Sequence, residues 1–179
     1  LFGVALQYTG CGQFFLNLAF SVLGYVRGGP AKVAIFASGL MGSMSGSVIT
    51  NVLTTGALSI PAMKRIGFKP HVAGGVEACA STGGVLMPPI MGATAFIMAI
   101  NLEVPYRDIV VAAVIPSVLY FFALFMQIDG YAAKNKLEGL PKAELPTVSQ
   151  TLKDGWYYVA VFALLIYLLV FMQREAQAP

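Results

Sequence analysis

Within the stretch SGLMGSMSGSVITNVLTTG, Ser38 to Gly56, the side chains of Ser45, Ser47, Thr50 and Asn51 gather hydroxyl and amide oxygens in the middle of a long apolar region. Oxygens of this kind can hold a hard monovalent cation without any formal charge of their own. A turn at Ser45–Ser47 would add backbone oxygens to the set. The arm before such a turn ends in carbonyls, which suit a cation. The arm after it begins with amides, which suit a carboxylate. A turn at membrane depth is tolerated only where protein or a water-filled cavity surrounds it, so this tip is expected to face a cavity. The same residues admit a plainer reading. Gly39, Gly42 and Gly46 recur at spacings of three and four, a pattern that also serves only to let helices pack closely.

A second interruption, STGGVLMPPIMGAT from Ser81 to Thr94, breaks another apolar segment near its middle. Pro88 and Pro89 have no amide proton, so a continuous helix would leave the carbonyls of Gly84 and Val85 without their usual partners. Gly83 and Gly84 ease unwinding, and proline suits the first turn of a new helix. The expected form is two half-helices joined by an unwound link, the alternative being a simple proline kink. Two interrupted segments side by side are a sequence pointer to the binding site of a secondary transporter.

Other chemistry is sparse. Glu77 enters the third apolar region early and is expected near the interface, paired with Lys64, Arg65 or Lys69. His71 belongs to the basic loop KRIGFKPH and is not expected to bind metal. Cys11 and Cys79 lack metal-ligand spacing and read as buried small hydrophobes. There is no nucleophile elbow and no phosphate loop, so no enzyme is expected.

These motifs sit on an apolar frame. Of 179 residues 58% are hydrophobic and 11% charged, with a mean hydropathy of +0.77. A soluble domain carries about a quarter charged residues. An integral membrane protein is therefore expected, with no nucleic-acid partner. The chain opens on Leu1 in an apolar run, without a charged leader, and is expected to be cut from a longer protein. Residues 1–26 could reach roughly 39 Å as a helix, enough to span a hydrocarbon core of about 30 Å. Residues 33–63 form the interrupted second region, 72–100 the broken third, and 109–128 a clean span. Residues 129–155 read as a polar loop, 156–172 as a last span opened by Trp156, Tyr157 and Tyr158, and 173–179 as a tail. The LYFFALF run reads as lipid-facing.

Basic residues arbitrate whether 33–63 crosses or turns back. If it turns back, Arg107 and Arg174 lie on one side and the other nine Lys and Arg on the opposite side. If it crosses, Arg27, Lys32, Arg107 and Arg174 oppose the other seven. Cytoplasmic loops collect Lys and Arg, which favours a re-entrant hairpin with the nine on the cytoplasmic side.

The motifs SGS, P-x-M-K, STGG and MPP-x-MG occur in this order between Arg27 and Ala99. Over about Gly3 to Asp129 the chain resembles the large membrane subunit (DctM-like) of tripartite ATP-independent periplasmic (TRAP) transporters, in particular the fused-permease branch that works with binding proteins of the TAXI type. The resemblance implies an all-α integral membrane fold of the ion-transporter-superfamily kind. It has two inverted repeats, each with a re-entrant helical hairpin and a discontinuous transmembrane helix. This chain would hold the first repeat, 1–128. The resemblance also implies sodium-coupled import of small organic acids by an elevator-type movement in the bacterial or archaeal cytoplasmic (inner) membrane. An ion channel or passive pore is the alternative. Implied partners are a periplasmic TAXI-type binding protein, a small membrane subunit or its fused equivalent, the remaining half of the permease, and the lipid bilayer. No cofactor is implied beyond Na+ as coupling ion. Carried onto this sequence, the sodium ligands would be Ser43, Ser45, Gly46, Ser47 and Asn51, with Ser81, Thr82, Gly83 and Gly84 opposite. Thr50, Pro88, Pro89 and Thr94 would line the substrate cavity.

Overall fold

The computed structural model describes residues 10–141 and 145–171. Among these, seven α-helices and no strand occur: α1 Cys11–Leu23, α2 Gly29–Ser45, α3 Val48–Arg65, α4 Pro70–Gly84, α5 Ala93–Leu102, α6 Tyr106–Lys134 and α7 Val148–Phe171. The all-helical class is as expected. Residues 1–9 of the first expected span and the expected tail lie outside the described residues.

Local chemistry sets where α2 and α3 stop and start. Pro30 stands in the first turn of α2, where its missing N–H costs nothing. Gly46 closes α2 in the left-handed region, φ 57°, and its N–H donates to the Gly42 carbonyl at 2.9 Å. Ser47 is extended and caps α3, its Oγ accepting from the Thr50 N–H at 3.4 Å. The two helices are therefore joined by two residues and fold back on each other. Asn51 Nδ2 donates to the Ser38 carbonyl at 2.9 Å, and Ser38 Oγ lies 3.2 Å from Thr55 Oγ1. These bonds pair positions at similar distances from the turn, which makes α2 and α3 an antiparallel hairpin.

Both arms of that hairpin open on one end of the bundle. The Gly28 N–H donates to the Leu137 carbonyl at 3.2 Å, and Phe68, just past α3, packs in one apolar cluster with Ala31, Ala73, Ala132 and Leu137. Lys32 and Lys64 thus belong to the same end. So do Lys134 and Lys136, which flank the end of α6.

The third region divides into two helices, α4 and α5, separated by residues 85–92. The carbonyls stripped of helical partners by Pro88 and Pro89 find others. Gly84 O accepts from the Met87 N–H at 3.2 Å, and Val85 O from the Gly92 N–H at 2.9 Å. α2 lies directly on α4 because both present glycine at the crossing. A Cβ at Gly42 would collide with the Gly84 backbone, and one at Gly84 would come within 2.9 Å of Gly42 Cα.

α6 is the one described helix that is long and apolar enough by itself to cross a membrane. Ile115 and Phe122 on it are 70% and 61% exposed. The LYFFALF run is not wholly lipid-facing. Leu119 and Phe122 point outward, whereas Tyr120 donates to the Cys79 carbonyl at 2.9 Å and Phe121 packs against Gly39. Seven consecutive residues on a helix go round almost two turns, so they cannot share a face. The polar loop is also shorter than its hydropathy implied. α6 continues through Tyr131, which stacks on Phe68 at 5.5 Å, and α7 begins at Val148.

At the end of α6, beyond its apolar run, Asp129 accepts from Arg27 and from Lys32, the latter at 2.5 Å. Lys32 is 5% exposed and also lies 4.8 Å from the Phe125 ring centroid. The Lys32 hydrogen bond, then that from Arg27, holds the Asp129 carboxyl below the usual carboxylate range. A depressed carboxylate contributes stability that is fully present above its unfolded value, near 3.9, and is lost as pH falls through the lowered folded value. Asp129→Asn is expected to lower the unfolding temperature at pH 7 and to abolish this acid-side dependence. Thermal unfolding from pH 7 to pH 3 checks both.

Candidate functional site

The hairpin tip meets the unwound link. The Ile90 N–H donates to the Ser43 carbonyl at 3.3 Å, and a Cβ on Gly46 would strike the Met91 carbonyl oxygen. The link is held from its other side by Tyr106, which is 1% exposed and whose hydroxyl reaches the carbonyls of Pro89 at 2.9 Å and Ile90 at 2.7 Å. Removing that hydroxyl takes away the one proton the two carbonyls share in a buried site, which costs about 1–3 kcal/mol. Tyr106→Phe is therefore expected to loosen the link, read as faster hydrogen exchange over residues 85–92.

Just below the tip, Asn51 is fully buried. Its amide nitrogen is spent on the Ser38 carbonyl and lies beside Gly84, where an added Cβ would come within 2.7 Å of it. Its Oδ1 is buried with no hydrogen-bond partner. An unpaired buried amide oxygen is costly, and such an atom in a native structure needs an explanation. A bound cation is one explanation, because it would satisfy the oxygen directly. This one oxygen is a neutral donor of the kind a hard monovalent cation takes.

The structure sorts the other expected ligands. Ser43 is buried, its hydroxyl donating to the Leu40 carbonyl at 2.7 Å. Ser45 Oγ accepts from the Ser47 N–H at 3.5 Å, within the turn itself. Across the crossing, Gly84 stands against Asn51 and Ser38. Thr82 is exposed, with its hydroxyl on the Ala78 carbonyl, and Gly83 faces the Tyr120 ring of α6. Ser81 is buried, but its hydroxyl turns to Glu77 at 3.3 Å. Of the expected cavity residues, Thr50 occupies the first turn of α3, Pro88 and Pro89 the link, and Thr94 the first turn of α5. A cleft of about 630 Å³ between α1 and the start of α7 contains none of them.

Glu77 is where the sequence reading fails. It is fully buried and does not pair with the basic loop. Its carboxylate takes Ser59 at Oε2 and Thr55 at Oε1, with Ser81 at 3.3 Å and Ser38 at 3.4 Å also on Oε1. Counting depth along α4 from Val72 ignored the hairpin, which covers Glu77 laterally. A signal was present: Asn51, Thr55 and Ser59, and again Glu77 and Ser81, recur every four residues and so line single helix faces. Cys79 is likewise exposed rather than buried, on a different face of α4 from Glu77, while Cys11 is buried as expected.

Residues 1–179 match the sequence model of the family described as tripartite ATP-independent periplasmic transporter, DctM component. The chain belongs to this family. Among its TRAP-transporter relatives, the sialic acid TRAP transporter permease protein SiaT of Haemophilus influenzae (strain 86-028NP) is 29% identical over 166 residues, 93% of this chain and 27% of the relative. The C4-dicarboxylate TRAP transporter large permease protein DctM of Pseudomonas aeruginosa is 28% identical over 145 residues, 81% of this chain and 34% of the relative. The sialic acid TRAP transporter large permease protein SiaM of Vibrio cholerae is 28% identical over 156 residues, 87% of this chain and 36% of the relative. The chain thus spans between 27% and 36% of these TRAP permeases. They are transporter permeases by name, and none is named as an enzyme.

Proposed function

We propose that this chain is part of the permease of a sodium-coupled TRAP transporter in the bacterial or archaeal inner membrane, importing small organic acids delivered by a periplasmic binding protein. The observation that carries the coupling step is the buried, unpartnered Asn51 Oδ1 beside a turn whose tip rests on an unwound link. A sodium ion would be held by Asn51 with oxygens of Ser45, Gly46 and Ser47, and Gly84 would give the backbone room to approach. Ser43 supports the tip through its bond to Ile90, and the Ser81 hydroxyl belongs to Glu77. Sodium supplies positive charge at the tip, against which a substrate carboxylate could settle near Thr50, Pro88, Pro89 and Thr94. The relatives' named substrates, sialic acid and C4-dicarboxylates, are carboxylates, which supports that class.

The placement of Lys32 and Lys64 at one end supports a hairpin that enters and leaves on the same side, with the basic end cytoplasmic. The further partners in this reading are a TAXI-type binding protein, a small membrane subunit or its fused equivalent, and the rest of the permease. Hairpin, α4 and α5 would move as one transport body in an elevator-type cycle.

The experiment is uptake of labelled substrate into proteoliposomes holding the full-length permease and its binding protein. Uptake should follow an inward sodium gradient and vanish without the binding protein. Uptake indifferent to sodium would refute the coupling. Ion current without the binding protein would favour the channel alternative.

A further inference from the structure

The carboxylate of Glu77 sits inside a ring of hydroxyls contributed by three helices: Ser38 from α2, Thr55 and Ser59 from α3, and Ser81 from its own α4. Ser38 and Thr55 likewise each reach the other two helices, so the ring ties all three together. The ring lies one helical turn from the cation site, since Thr55 is four residues after Asn51. Thr55 ties the two together, because its Oγ1 approaches the Asn51 carbonyl at 2.8 Å as well as Glu77. Ser38 closes the loop: its hydroxyl reaches the ring while its backbone carbonyl receives Asn51 Nδ2 at 2.9 Å.

This arrangement determines which way the Asn51 amide faces. With the Ser38 carbonyl fixed by the ring, only the NH2 group of Asn51 can point at it, so Oδ1 is left over. Gly84, two turns along α4 from Glu77, stands directly beside the amide nitrogen. The register of α4 against the hairpin therefore decides whether that amide has room. The charged and titratable groups on the three helices lie elsewhere. Lys32 on α2 is engaged with Asp129, Lys64 and Arg65 are at the exposed end of α3, and His71 is exposed in the first turn of α4.

We propose that Glu77 is a positioning residue for the cation site: its hydroxyl ring locks the hairpin to α4 in the register that presents Asn51 Oδ1 to a bound monovalent cation. The inference rests on the sodium reading given above. Glu77 does not touch the ion. A glutamine at position 77 has the same shape but only one acceptor oxygen, so at least one hydroxyl of the ring must turn from donating to accepting and give up its present bond. Losing one such bond in the ring is worth up to about tenfold in a coupled equilibrium.

The test is equilibrium binding of radioactive sodium to the purified full-length permease, with choline replacing sodium at constant ionic strength. Glu77→Gln and Thr55→Val are each expected to raise the half-saturating sodium concentration about tenfold. Thr55→Ser, which keeps the hydroxyl, should bind within about twofold of the unmodified protein. In an Asn51→Ala background, Glu77→Gln should add nothing, because groups acting through one another are not additive. Glu77→Gln binding sodium normally, or an effect that multiplies with that of Asn51→Ala, would overturn the proposal while leaving the sodium site intact. Absence of sodium binding by the unmodified permease would instead refute the site itself, and this inference with it. If Thr55→Val does not fold, the Glu77→Gln and Thr55→Ser pair decides alone.

Discussion

Asn51→Ala is expected to raise the half-saturating sodium concentration for uptake by roughly 10- to 100-fold, the worth of one polar contact to a charged group. The same substitution should change stability in sodium-free buffer by no more than about 1 kcal/mol. It loses one bond, from Nδ2 to the Ser38 carbonyl, but also removes the unpaired buried Oδ1. That combination separates a ligand from a packing residue. If the polar turn served only close helix packing, Asn51→Ala would shift stability equally with and without sodium. Thermal unfolding measured with sodium and with choline distinguishes the two outcomes.

The second large effect concerns the α2–α4 crossing. Gly42→Val should destabilise the permease by about 3 kcal/mol or more, the upper range for overpacking, because the added group has backbone rather than a flexible side chain in its way. Gly84→Val should behave alike and should also displace the Asn51 amide, so sodium binding and stability fall together. By contrast, Gly74→Ala and Gly75→Ala meet nothing within 4 Å and should be neutral or slightly stabilising, by about 1 kcal/mol at most in mid-helix. Thermal unfolding of the four variants side by side gives the comparison.

Short-range features of this architecture were legible in the sequence. Gly46 and Ser47 carry their own turn and cap chemistry, and Pro88 with Pro89 remove the amides that a helix through residues 84–89 would need. These are properties of a few adjacent residues, so the two-arm hairpin and the two half-helices could be read directly. What could not be read is lateral packing. Depth counted along one helix places Glu77 at the interface. Its surroundings are set by Ser38, Thr55 and Ser59, far away in sequence and brought close only when the hairpin lies on α4. The same limit applies to Thr82 and Gly83. Their neighbours in the STGG motif face the hairpin, but a helix turns by about 100° per residue, so adjacent residues cannot all address one site. The end of α6 is hidden for a different reason: hydropathy marks where apolar residues stop, and the helix continues through Tyr131 and Ala132 because they pack on Phe68 and its cluster.

The length of the hairpin has an electrical consequence. In the proposed re-entrant reading the apolar arm, residues 33–45, is about 20 Å of helix, against a hydrocarbon core of about 30 Å. Asn51 lies four residues back from Ser47, or about 6 Å toward the basic end. An ion arriving from the opposite face would therefore have fallen through about half of the membrane potential when it reached Asn51. At about 2.3 kcal/mol per charge per 100 mV, occupancy at that face should respond to voltage by about sevenfold per 100 mV. The remaining electrogenic work would be left to the later translocation and release steps, so voltage should act on apparent affinity for external sodium as well as on turnover.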